Sequence, residues 1–173
     1  INDFGGQITD IIGAPEYSPP NLNTEGKKAN PDWLLSFLNE PSIIRPNLQV
    51  RMPSFHQISN EDWNAIIKYF QQLDNEKISY RDDLAIDKST LEFNGGKVLH
   101  DLGACDNCHF YGTTFPKQDA STWAPNLAMT KERLNPDWVK EWLREPQTIM
   151  PGTKMPAPFL PTSDLLSIDG AEA

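Results

Sequence analysis

Cysteine is scarce in this 173-residue chain: Cys105 and Cys108 are its only two. That number cannot build a disulfide framework or a four-cysteine zinc site. Histidine is nearly as scarce, with three residues. No apolar run approaches the ~20 residues that a membrane-spanning helix needs. Basic charge is in deficit, with 15 Lys and Arg against 24 Asp and Glu and a formal charge of −9, so a nucleic-acid partner is not expected. Hydrophobic residues make up only 38% of the chain, little for a chain that must fill its own core. What the chain has in excess is proline and glycine, 15 and 10 residues, which predicts long loops between short helices.

Both cysteines fall in one pentapeptide, Cys105-Asp106-Asn107-Cys108-His109. C-x-x-C-H is the attachment signal for a c-type haem. Two thiols at this spacing can each add to one vinyl group of the porphyrin, with the following imidazole as the proximal ligand of the iron. A dithiol redox pair or half of a zinc site would use the same two sulfurs. A redox pair, however, gains nothing from the trailing histidine, and zinc would need a second cysteine pair.

Downstream lies Met150-Pro151-Gly152-Thr153-Lys154-Met155-Pro156, and between the two motifs Ala124-Pro125-Asn126-Leu127 and Asn135-Pro136-Asp137-Trp138. Taken together, residues 94 to about 160 resemble the class I c-type cytochromes, in a tandem or multihaem form. That resemblance implies an all-α, loop-rich, cytochrome c-like helical fold. It makes Cys105, Cys108, His109, Pro125, Leu127, Trp138 and Met155 the cofactor-binding set, with haem c as the cofactor. His109 and Met155 would be the axial ligands. Pro125 would accept the proton on the other imidazole nitrogen, and Trp138 would reach a haem propionate. Met155 directly follows P-G-T-K and is preferred as the sixth ligand, with Met150 left to packing.

The chain also repeats itself. Pro20-Asn21-Leu22 returns as Pro125-Asn126-Leu127, Asn30-Pro31-Asp32-Trp33 as Asn135-Pro136-Asp137-Trp138, and Glu40-Pro41 as Glu145-Pro146, all 105 residues on. Arg51-Met52-Pro53 returns as Lys154-Met155-Pro156 at a shift of 103. The expected organisation is therefore two tandem copies, each incomplete at one end. Residues 1–75 form a copy with no visible attachment box, 76–90 a charged linker, and 91–173 the copy that carries the haem. Met52, the repeat partner of Met155, is a candidate ligand of a second haem whose box would lie upstream. The missing head and tail suggest an interior segment of a longer chain, a first copy that has become purely structural, or one composite domain in which the helix at 60–73 packs against that at 96–103.

Three helices stand out. Residues 31–39 begin with Asn30 as N-cap and Pro31 in the first turn, carry Trp33 and Phe37 on one face, and stop at Glu40-Pro41. Trp138, Trp142 and Pro146 repeat that pattern. Residues 60–73 open with Ser59 and Asp62 and carry Trp63, Ile66, Ile67 and Phe70 at helical spacing. A third helix should run from Gly96 to Gly103. His56 and His100 read as surface or packing residues, and Thr162–Ser167 as too short for a final helix.

A six-coordinate iron between imidazole and thioether suits electron transfer and leaves no open position for oxygen or peroxide. The expected function is thus an electron carrier, not an enzyme, as a module of a di- or multihaem cytochrome. The alternative is the haem-bearing part of a peroxidase-like or sulfur-oxidising enzyme, or of a respiratory complex. Expected partners are redox proteins with basic docking patches, or other subunits of such a complex. The resemblance implies the periplasm or the outer face of a bacterial membrane.

Overall fold

A computed structural model describes residues 20–48, 51–76 and 87–157. The described chain is all-α, with no strand. Its helices are α1 (Glu25–Lys28), α2 (Pro31–Asn39), α3 (Asn60–Leu73), α4 (Leu91–Leu102), α5 (Thr130–Arg133), α6 (Pro136–Arg144) and α7 (Pro146–Ile149). Three 3-10 turns, at Cys105–Asn107, Ala120–Thr122 and Leu127–Met129, lie between α4 and α5. Residues 77–86 of the expected 76–90 linker, the segment 1–19 and the tail from 158, with Thr162–Ser167, lie outside the described residues. By contact the chain forms two units: the residues up to Lys77 with Met129–Trp138, and Ile78–Ala128 with the residues from Val139 on.

The first unit is organised by α3. Ser59 Oγ accepts the Asp62 amide at 3.1 Å and lies 2.8 Å from the Asp62 carboxylate, so the cap read from the sequence is formed. Trp63 and Ile67 are buried, but Ile66 is 39% exposed, and Gln71 takes the inward place instead. The buried face therefore follows i, i+4, i+8 and is rotated slightly from the expected stripe. Ile67 packs with Ala29 and Leu34, and Trp33, Leu35 and Leu38 flank this cluster. α2 has the expected limits, with Pro31 in its first turn.

Asn30 occupies the N-cap position of α2 but makes no cap bond. Its carboxamide donates instead to the Glu132 carbonyl at 2.6 Å, satisfying an acceptor in the last turn of α5. Its repeat partner Asn135 behaves as an ordinary cap, accepting the Asp137 amide at 3.1 Å. These two asparagines flank a pairing of equivalent segments. Ala29 and Leu134 form an antiparallel bridge. The Asn30 amide donates to the Arg133 carbonyl at 2.9 Å, and the Asn135 amide to the Lys28 carbonyl at 2.8 Å. Lys28 Nζ lies 5.9 Å from the Trp138 ring centroid, and the Arg133 guanidinium 5.7 Å from that of Trp33. Each contact maps onto its counterpart by the 105-residue shift, so the two segments meet around a local two-fold axis. Burial pushes the Arg133 guanidinium down from its ordinary value.

In the second unit α4 begins at Leu91, five residues before the expected start. Thr90 Oγ1 caps it by accepting the Phe93 amide at 3.2 Å. The threonine cap sets the start ahead of Gly95 and Gly96, which weaken a helix interior, whereas the sequence places the start at Gly96.

One glycine in the first unit is fixed by contact. A Cβ on Gly26 would sit 2.3 Å from the Phe70 carbonyl carbon and oxygen, so α1 can lie on α3 only with hydrogen at this position. Gly26→Ala should lower unfolding stability by about 1–3 kcal/mol through overpacking, read as a lower denaturant midpoint with an unchanged slope.

Candidate functional site

The cysteine box follows α4 directly. Gly103 closes the helix, and Ala104 then takes the left-handed conformation at φ 48°, ψ 42°. An L-alanine is strained there. The reversal starts the 3-10 turn that carries Cys105, Asp106 and Asn107, with the His109 amide donating to the Cys105 carbonyl at 2.9 Å. Both thiols are free and half-buried. Cys108 Sγ contacts Gln118 Oε1 at 3.9 Å. Burial pushes the Cys105 thiol above its ordinary value, and the neighbouring carboxylates of Asp106 and Asp101 add to this.

His109 is held from the other side. Ala124 pairs with it in a parallel bridge, and the Ala124 amide donates to the Cys108 carbonyl at 2.8 Å. The Leu127 amide donates to the Phe110 carbonyl at 2.8 Å. These two backbone bonds bracket Pro125 and bring its carbonyl within 2.7 Å of His109 Nδ1. A carbonyl can only accept, so Nδ1 carries the proton and Nε2 is the ring's basic nitrogen. Cys105, Cys108, His109, Pro125 and Leu127 thus form one cluster.

Several residues that support this cluster were not read from the sequence as site residues. Asn126 grips Gly112 from both sides: its Oδ1 accepts the Gly112 amide at 2.9 Å, and its Nδ2 donates to the Gly112 carbonyl at 2.8 Å. The same Oδ1 accepts the Ala128 amide at 3.0 Å. Phe110 is buried and meets Trp123 edge-on at 5.1 Å and Phe115 at 5.4 Å. The Trp123 indole donates to the Gln118 carbonyl at 2.9 Å. The sequence signal was the position of Trp123 and Asn126 either side of Ala124-Pro125, in and beside a motif from which Pro125 and Leu127 alone were taken as site residues.

Met155 sits in a loop held at both ends. The Thr153 amide donates to the Met150 carbonyl at 3.1 Å, closing a turn in which Gly152 takes φ 84°. The Met155 amide donates to Thr153 Oγ1 at 3.3 Å. Lys154 Nζ donates to the Ser121 carbonyl at 3.0 Å. Ser121 lies two residues before Trp123, so this bond ties the methionine loop to the strand-like run that fixes His109.

Two other predicted residues lie elsewhere. Trp138 groups with the first unit, where it is buried and its indole donates to Thr24 Oγ1 at 3.2 Å. Met52 is also in the first unit and is 39% exposed. His100 lies 3.3 Å from the Asp101 carboxylate with its side chain 42% exposed, and His56 is exposed. Among the described residues no group of three His, Cys, Asp or Glu side chains forms a metal site. The cluster offers two sulfur nucleophiles and one imidazole nitrogen.

Asn126→Ala removes three hydrogen bonds and should cost about 1–3 kcal/mol of stability. It should also broaden the His109 ring resonances in NMR. Lys117 holds the Asp106 carboxyl below the usual carboxylate range by hydrogen bonding it. The stabilisation from this pair is therefore complete above the ordinary Asp pKa and is lost as pH falls through the depressed value. Lys117→Met should move the Asp106 titration upward, observed on the side-chain carboxyl carbon.

Against curated proteins, the chain is 34% identical over 88 residues to cytochrome c oxidase subunit 2 of Bacillus subtilis (strain 168), a stretch covering 44% of this chain and 25% of that protein. No family model matches the chain, and no solved structure matches it. The chain thus spans about a quarter of the length of the curated relative it matches, and what the two are similar in is one segment.

Proposed function

We propose that this chain is an electron-transfer module of a respiratory complex, carrying haem c bound through Cys105 and Cys108. His109 and Met155 would hold its iron. The observation that supports it is the 2.7 Å bond from His109 Nδ1 to the Pro125 carbonyl, which puts the ring proton on Nδ1 and makes Nε2 the basic nitrogen, the one a metal would take. The donor set fits the group: two free thiols on one turn, an imidazole of fixed tautomer beside them, and a thioether in a loop tied to the same frame. When bound, the haem supplies a one-electron couple.

The chain's own residues do the rest. Cys105 and Cys108 anchor, Pro125 raises the donor strength of His109, and Met155 presents a soft sulfur that favours the ferrous state. The Phe110, Phe115 and Trp123 rings give this side of the unit an apolar wall. The likeness to an oxidase subunit supports the respiratory setting, and with it a position on the outer face of a bacterial membrane. Among the described residues no helix is long and apolar enough to cross a membrane. A second haem ligated by Met52 extends the same reading and rests on the repeat.

Intact mass of the native protein counts the haems. The oxidised protein should show a sulfur-to-iron charge-transfer band. Met155→Ala should abolish that band, lower the potential and leave the haem attached. An unchanged spectrum in Met155→Ala, or pigment released into acidified organic solvent, would exclude this assignment.

A further inference from the structure

Gln147 stands in the first turn of α7, directly after Pro146, which is fully buried. The buried ring fixes the backbone from which the Gln147 side chain leaves. That side chain crosses to the methionine loop. Its Nε2 donates to the carbonyl of Thr153 and lies 3.3 Å from the carbonyl of Met155. These two carbonyls flank Lys154. The Met155 amide is engaged by Thr153 Oγ1, so both the amide and the carbonyl of Met155 are held.

We propose that Gln147 is a positioning residue for Met155: its carboxamide clamps the backbone on both sides of Lys154 and so fixes where the thioether is presented. This rests on the assignment of Met155 as sixth ligand. The physical reason is entropic. Methionine has an unbranched side chain with three rotatable bonds, and its thioether is a weak donor compared with imidazole. A weak ligand on a mobile loop would dissociate readily, whereas a loop held before the sulfur binds loses little freedom on ligation. Lys154 ties the loop to Ser121, and Gln147 ties it to α7. A single amide group can do this because its two N–H donors point to two acceptors.

The test uses the native haem-bearing protein and three variants: Met155→Ala, Gln147→Leu and Gln147→Lys. Leucine keeps most of the bulk but has no donor, and lysine restores donors on a stem of similar length. The readouts are the sulfur-to-iron band, the reduction potential and the rate of cyanide binding to the oxidised protein, which waits on loss of the methionine. Gln147→Leu should bind cyanide about tenfold faster than wild type and have a lower potential, as expected for losing about one to two net hydrogen bonds. Gln147→Lys should return both towards wild type.

If wild type lacks the band, or Met155→Ala keeps it, the ligand assignment fails and the clamp with it. If the band behaves as assigned but Gln147→Leu binds cyanide at the wild-type rate, the clamp alone is overturned. Equal acceleration in the leucine and lysine variants also overturns it, since a donor would then not matter. Should Gln147→Leu fail to mature, Gln147→Lys decides: a wild-type cyanide rate supports the clamp, and failure to mature overturns it.

Discussion

An imidazole whose Nδ1–H is held 2.7 Å from a carbonyl has one nitrogen left with a lone pair and one direction in which to point it. The rest of the second unit can be understood as the means of holding that bond. The carbonyl belongs to a proline, whose fixed φ limits how far it can swing. The residues on either side of Pro125 are pinned by backbone bonds to Cys108 and Phe110, the two neighbours of His109. Asn126 then fastens the far side to Gly112. Donor and acceptor thus share one short piece of paired backbone, and neither can move without the other. Ring orientation in such a site is a property of the main chain more than of side-chain packing.

How much of this was legible in the sequence depended on how local the cause was. The limits of α2 follow from Pro31 and from Glu40-Pro41, and the cap on α3 from Ser59 and Asp62; these are rules that act within four residues. The contact between His109 and the Pro125 carbonyl was expected from the resemblance to class I cytochromes rather than from any local rule. The start of α4 was not legible: Thr90 caps a helix that runs through Gly95 and Gly96, and a glycine pair inside a helix reads as a boundary. The buried place of Gln71 and the exposure of Ile66 depend on what α3 packs against, which no window of the sequence contains. Asn30 is the instructive case. Its position as N-cap was right and its expected bond was not, because an acceptor about a hundred residues away was the better partner.

The repeat was legible as letters, but what it does in the fold was not. α1 and α5 have the same length and stand 105 residues apart, as do α2 and α6. Equivalent stretches pair with each other through Ala29 and Leu134, and their cations face the equivalent tryptophans. A segment that meets its own copy around a local two-fold axis makes equivalent contacts twice, here with different residues at the paired positions: Lys28 over Trp138 and Arg133 over Trp33. The match is imperfect where packing differs. Gly26 is forced by the approach of α1 to α3, whereas the equivalent position carries Lys131, which is exposed. The close helix approach at Gly26 is therefore barred at Lys131, and the two copies cannot be packed alike there.

The two units also differ in how much apolar side chain they bury. Ala29, Leu34, Trp63, Ile67 and Trp138 are the buried hydrophobics of the first; among the described residues of the second, Phe110 stands in that class, beside the buried rings of Pro116 and Pro146. α4 buries none of its side chains, and Leu91, Val98 and Leu102 are exposed along it. A unit built this way gains its order from hydrogen-bonded loops around the box and the methionine turn, and those bonds are individually worth only about 1 kcal/mol net. On the reading proposed here, a porphyrin covalently fixed at Cys105 and Cys108 adds apolar surface at roughly 25 cal/mol per Å² of buried area. Because the link is covalent, that contribution is not diluted by mass action as a dissociable ligand's would be. The same two sulfurs that would make the module an electron carrier would then also make it a stable domain.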